Sequence, residues 1–227
     1  MCTCELCRNG YVYITDDMGT ERAARCSCMR AAWSRKLLRD SGLETQAERY
    51  TFENFKSEEV WQKKLKELAT EYAADKSGSF FVSGNTGAGK THICTAICNE
   101  LLKKGKGLRY FRWVEDGTRF KRAVNDTGEY ANLQDYINAD ILYIDDLFKQ
   151  SITDADIRLS YELINSRYIS GKRTIVSTER DLTEIKESRD GAGNAIAGRI
   201  YEMCGNGKYC VNLSGEEKNQ RFKSAQY

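Results

Sequence analysis

The chain holds no proline, a single histidine and no long apolar run, and its charges almost cancel. Without proline, the ends of helices and strands must be read from glycine and polar capping residues. Without an apolar run of about 20 residues, no segment is expected to span a membrane. The start of the chain does not read as a secretory signal, so the expected compartment is the cytoplasm. The one histidine, His92, argues against a histidine-based hydrolase and is expected to serve in packing. A formal charge of +2 gives no bulk attraction for nucleic acid, so any such contact must come from a local patch. In a reducing compartment, clustered thiols among the nine cysteines suggest metal ligation rather than disulfides.

The 227 residues suffice for one α/β domain with a small appendage. Residues 1–28 carry Cys2, Cys4, Cys7, Cys26 and Cys28, with a short β-like run, Tyr11–Ile14, between the thiol clusters. Residues 29–78 look helical, broken near Ser41-Gly42 and again around Thr51–Phe55. Trp61, Leu65, Leu68 and Tyr72 recur at helical spacing and predict a stripe facing the core. From Phe80 onward strand and helix alternate. Strands are predicted at 80–82, 108–114, 141–144, 174–177 and 209–213, and helices at 90–104, 130–138, 153–170 and 194–204. Thr153 or Asp154 is expected to cap the third of these helices. Such alternation predicts an α/β fold with a mostly parallel sheet flanked by helices.

Gly84-Asn85-Thr86-Gly87-Ala88-Gly89-Lys90-Thr91 matches the phosphate-cradling string G-x-x-x-x-G-K-[ST]. Its glycines let the backbone curl so that several N–H groups meet phosphate oxygens, at the positive end of the helix that follows. Lys90 brings a full charge to the β- and γ-phosphates, and the Thr91 hydroxyl is a hard ligand for Mg²⁺. The ligand expected here is ATP with Mg²⁺. Ile141-Leu142-Tyr143-Ile144 runs into Asp145 and Asp146, a buried strand ending in carboxylates where parallel sheets bind ligands. Asp145 is expected to hold Mg²⁺, and Asp146 to orient or deprotonate the attacking water. The next strand, lying between these two, ends in Ser177-Thr178-Glu179. Thr178 is favoured to touch the γ-phosphate or its water, with Ser177 and Glu179 as alternatives. Arg199 is either an ordinary helical arginine or a fork that reaches the γ-phosphate of a neighbouring subunit.

Cys4-x-x-Cys7 and Cys26-x-Cys28 form two thiol pairs around a hairpin-sized insert, a donor set suited to tetrahedral Zn²⁺. So small a segment lacks a core, and metal binding would supply its folding energy. Cys2 is a spare or alternative ligand. Cys94, Cys98, Cys204 and Cys210 read as small buried residues. Two basic stretches, Arg22–Arg39 and Lys103–Arg122, suit single-stranded nucleic acid. The second also carries Tyr110, Phe111, Trp113 and Phe120, whose faces could stack on bases. Solvated helix faces and an ordinary strand explain the same residues equally well.

These motifs, in this order, resemble the bacterial and phage helicase loaders of the DnaC/DnaI type within the AAA+ ATPases. The resemblance rests on the cysteine set, Tyr50-Thr51-Phe52-Glu53-Asn54-Phe55, the Gly84–Thr91 loop, Ile144-Asp145-Asp146-Leu147, Thr174–Glu179 and Gly198-Arg199-Ile200-Tyr201-Glu202-Met203. It implies a cysteine-rich, helical, helicase-docking module at 1–50 and an AAA+ ATPase domain at 51–227. It also implies a replicative hexameric helicase and single-stranded DNA as partners, and self-assembly through Arg199 acting in trans. Many members of that family carry asparagine where Glu179 stands here. An IstB-type transposition helper, and a zinc adaptor using ATP only as a switch, are the competing readings.

Overall fold

The computed structural model describes residues 7, 10–15, 19–40, 44–123, 127–215 and 218–219. In chain order the elements are β1 (Tyr11–Thr15), β2 (Glu21–Arg25), α1 (Ser27–Asp40), α2 (Glu44–Arg49), α3 (Val60–Ala74), β3 (Phe80–Gly84), α4 (Lys90–Lys103) and β4 (Leu108–Arg112). They continue with α5 (Asp116–Arg122), α6 (Thr127–Asn138), β5 (Ile141–Leu147), α7 (Asp154–Ile169), β6 (Arg173–Thr178), α8 (Leu182–Glu187), α9 (Asn194–Met203) and β7 (Cys210–Leu213).

Five strands form one sheet in the order β4-β5-β6-β3-β7, and every neighbouring pair is parallel. Strand β3 is buried along its whole length, which explains its unbroken apolar start at Phe80-Phe81-Val82. Strand β6 separates β3 from β5, as the sequence predicts for the strand between the two motif strands. Leu65 and Tyr72 of α3 are buried, while Trp61 and Leu68 flank them against the core, so the helical stripe faces inward. In the first module, β1 and β2 pair antiparallel, Tyr11 opposite Arg25. Helices α1 and α2 lie on α4, and α1 also reaches β4 at the sheet edge.

The structure departs from the sequence reading at short elements. Helices α5 and α8, and strand β2, have no predicted counterpart. Helices of seven and six residues complete fewer than two turns, too few to show a 3.6-residue period. Strand β4 stops at Arg112 rather than Val114, because the Trp113 amide turns to the Asp145 carbonyl at 3.0 Å and Trp113 carries the chain into α5. Strand β5 continues through both aspartates to Leu147, with an irregular register between Ile144 and Leu147.

Candidate nucleotide site

The loop joining β3 to α4 has the backbone its glycines suggest. Gly84 lies at φ 126°, and a Cβ there would stand 2.3 Å from the Leu213 carbonyl carbon, so only glycine lets β3 and β7 run this close. Gly89 caps α4 from the left-handed region, φ 84°, without a side-chain cap, which leaves the positive end of α4 open to an anion. Lys90 is almost fully buried and its ammonium donates to the carbonyls of Gly84 at 2.6 Å and Asn85 at 2.9 Å. Burial draws its pKa below the usual lysine value, and the carboxylates of Glu179 and Asp146 push it back up.

Across the loop, the Thr91 hydroxyl lies 3.4 Å from Asp145 Oδ1. Asp145 is buried and accepts three further hydroxyls: Tyr110 on Oδ2 at 2.7 Å, Tyr143 on Oδ1 at 2.7 Å, and Ser177 on Oδ1. Burial, then the Asp145 charge, push both tyrosines above the usual phenol range, so they stay protonated as donors. Strands β4, β5 and β6 thus each place a hydroxyl on one carboxylate and fix its orientation. The sequence reading missed this role for Tyr110, Tyr143 and Ser177. The signal is the register, which sets Tyr110 beside Tyr143 and Tyr143 beside Ile175, two residues before Ser177.

The other expected site residues take distinct positions. Asp146, in the left-handed region at φ 56°, pairs with Lys149 at 2.5 Å. Thr178, favoured from sequence to face the phosphate, is instead fully buried: its hydroxyl donates to the Leu147 carbonyl at 2.6 Å and accepts the Arg180 amide at 3.1 Å. Glu179 is the residue of this strand end that touches the loop, accepting the Thr86 hydroxyl at 2.5 Å. Arg199 lies on α9, where it donates to Asn165 Oδ1 at 2.7 Å and the Ala195 carbonyl at 2.9 Å. Its guanidinium also lies over the rings of Tyr161 and Tyr168.

The Tyr50–Phe55 segment is fastened to the first turns of α4. His92 stacks on Tyr50, meets Phe55 edge-on and hydrogen-bonds the Thr51 carbonyl at 3.0 Å, while Asn99 donates to the carbonyls of Ala47 and Tyr50. His92 therefore serves packing, as expected. The same helix buries Cys94 and Cys98 in the core, and Cys204 is buried after α9.

In the first module the sulfur atoms of Cys7, Cys26 and Cys28 all lie within 4.8 Å of one another, with Cys7 and Cys28 3.6 Å apart. A tetrahedron of Zn–S bonds about 2.3 Å long has sulfur–sulfur edges of about 3.8 Å, so these thiols fit a zinc centre. Cys4, the expected fourth ligand, and Cys2 lie outside the described residues.

The aromatic residues of the second basic stretch do not form a stacking platform. Phe111, Trp113 and Phe120 are buried in the core, where Phe111 touches both other rings, and Tyr110 is committed to Asp145.

Comparison with known proteins agrees with this geometry. The chain is similar to the phage-like element PBSX protein XkdC of Bacillus subtilis (strain 168), at 30% identity over 97% of this chain and 86% of that protein. It is similar to the replicative helicase loader DnaC of Escherichia coli (strain K12), at 28% identity over 73% of this chain and 67% of the relative. Among solved structures, the DnaC helicase loader matches with a TM-score of 0.64 at 20% identity, over 74% of this chain and 98% of that one. The replication initiator DnaA bound to AMPPCP and single-stranded DNA matches with a TM-score of 0.60 at 20% identity. The match takes in 77% of this chain and 54% of DnaA, so this chain spans about half of that initiator. The two structures share the AAA+ fold with this chain. The family described as IstB-like ATP binding protein matches residues 18–204, and the chain belongs to that family, as an ATPase of AAA+ fold.

Proposed function

We propose that the protein is an ATP-dependent loader of a replicative DNA helicase that binds Mg-ATP and single-stranded DNA. The observation that carries this reading is the joining of two parts through one helix. The thiol module lies, through α1 and α2, on the α4 that begins at the phosphate loop, and Tyr50–Phe55 is clamped to that helix by His92 and Asn99. A partner held by residues 1–50 would thus be coupled to a nucleotide held by residues 51–227. The likeness to a replicative helicase loader and to an initiator solved with single-stranded DNA supports the choice of partners.

Each site residue has a role in this reading. The amides of Gly84, Asn85, Thr86, Gly87, Ala88 and Gly89 wrap the phosphates, and Lys90 leaves its carbonyl partners to meet the β- and γ-oxygens. Thr91 and Asp145, two hard oxygen donors facing each other, would hold Mg²⁺, which supplies charge neutralisation to the phosphates. The hydroxyls of Tyr110, Tyr143 and Ser177 keep Asp145 aimed. Thr178 is the brace that holds the end of β6 to β5. Arg199 acts in trans on the nucleotide of a second copy, steadied on its own chain by Asn165 and Tyr161. Cys4, Cys7, Cys26 and Cys28 hold Zn²⁺ and so fold the docking module.

The test is co-purification with the replicative helicase, before and after zinc is removed by a chelator. Capture is expected before removal and lost after it, with ATP binding retained throughout. Recovery of a transposase and no helicase would instead support the transposition helper, the reading favoured by the name of the matched family. Bound ATP without turnover, in the presence of DNA and helicase, would support the adaptor that uses ATP as a switch.

A further inference from the structure

Two carboxylates besides Asp145 stand near the loop, and their surroundings differ. Asp146 is turned by its left-handed backbone toward Lys149, whose ammonium holds Oδ2 at 2.5 Å. Its charge is answered locally, and a short side chain in that grip has little freedom to swing. Glu179 ends the strand that runs between β3 and β5, the gap between loop and metal-facing aspartate. Its Oε1 already accepts the hydroxyl of Thr86, a residue of the phosphate loop itself, at 2.5 Å. The residue before it cannot compete, because the Thr178 hydroxyl is bound within the sheet. The fields of both acids reach Lys90, with Glu179 acting more strongly than Asp146.

We propose that Glu179, rather than Asp146, is the catalytic carboxylate that orients and deprotonates the attacking water. The proposal rests on the ATPase reading above and names the base that serves it. Glu179 exchanges the Thr86 hydroxyl for the water. The water oxygen bonds to the γ-phosphorus as the bond from that phosphorus to the bridging oxygen breaks, and the electron pair leaves with ADP. The proton lost by the water passes to Glu179 and from there to the phosphate product. Glutamate in place of a neutral amide side chain at this strand end then supplies a base as well as a positioning contact, which frees Asp146 to anchor Lys149. A positioned base contributes about 10²- to 10⁴-fold to rate, which sets the scale of the test.

The experiment compares steady-state turnover and equilibrium ATP binding for the wild type and for Glu179→Gln, Glu179→Asp and Asp146→Asn. Glu179→Gln is expected to lower kcat by about 100-fold or more while ATP affinity stays within about threefold. Glu179→Asp keeps the charge at shorter reach and is expected to fall between Gln and wild type. Asp146→Asn is expected to keep kcat within about tenfold. The retained affinity of each variant shows that it is folded. The proposal is overturned if Glu179→Gln turns over within about tenfold of wild type, including the case in which it binds ATP more tightly and so acts only as a latch on Thr86. It is equally overturned if Asp146→Asn loses as much as Glu179→Gln. A wild type that binds ATP but never hydrolyses it would instead remove the ATPase reading itself, and this proposal with it.

Discussion

Arg167 heads the largest fully buried side chains among the described residues, and its hydrogen bonds go to backbone and hydroxyl oxygens. Its guanidinium donates to Thr174 Oγ1 at 2.9 Å, to the carbonyls of Tyr136, Ile137 and Ala139 at the end of α6, and to the Arg173 carbonyl. Burial draws its pKa down to about 10, so it remains charged at neutral pH. It acts as an internal C-cap, satisfying carbonyls that the helix leaves unpaired. Arg167→Met would orphan them, and is expected to lower stability by about 3–5 kcal/mol, read from the denaturant midpoint at unchanged slope. A midpoint within about 1 kcal/mol of wild type would contradict the capping role. At this scale Lys90, Thr91 and Asp145 were legible because a contiguous string and an apolar strand specify them. The hydroxyls of Tyr110, Tyr143 and Ser177 were not, because they come from three strands and meet only through register. The choice of Thr178 over Glu179 failed by one residue, which on a strand end selects a different face.

Helix α7 shows what the element scale adds. Thr153 accepts the Asp156 amide at 3.2 Å, and Asp156 takes the Thr153 amide at 3.0 Å in return, a reciprocal capping box. Asp156 also receives Lys121 of α5 at 2.6 Å, tying a helix invisible in the sequence pattern to one that was plain. Burial pushes the Asp156 carboxyl up, but Lys121 and Thr153 together outweigh it and hold it below the usual aspartate range. A depressed folded-state pKa means this stability is present above the ordinary value near 3.8 and is lost as pH falls through the folded value. Asp156→Asn is therefore expected to cost about 2 kcal/mol at pH 7, with the gap to wild type closing as pH falls below about 4. A gap that stays constant over that range would show that Asp156 acts without its charge. Predicted and observed elements agree where runs are long enough to show a period, as in α3, α4 and α7. The extension of β5 through Asp145 and Asp146 could not be read from composition, since polar strand ends look like turns.

At the scale of the molecule, one helix connects everything described. Its first residues carry Lys90 and Thr91, its buried face fills the core beneath the sheet, and its outer side receives α1, α2 and the Tyr50–Phe55 segment. The order of motifs and the alternation of strand and helix made the parallel sheet legible, because each strand lies wholly buried and each loop falls at one sheet edge. The seating of the thiol module on α4 was not legible, since it depends on contacts between residues more than 40 positions apart, such as Ala47 and Tyr50 with Asn99. The central claim is that a polyphosphate with its divalent ion lies between Lys90 on one side and Thr91 with Asp145 on the other. Isothermal titration of ATP in the presence and absence of Mg²⁺, on the wild type and on Lys90→Ala, tests it most directly. One site per chain is expected, with a Kd below about 1 mM that weakens at least tenfold without Mg²⁺ or without the ammonium. A folded wild type that shows no binding at millimolar Mg-ATP, or a Lys90→Ala variant that binds equally well, would contradict it.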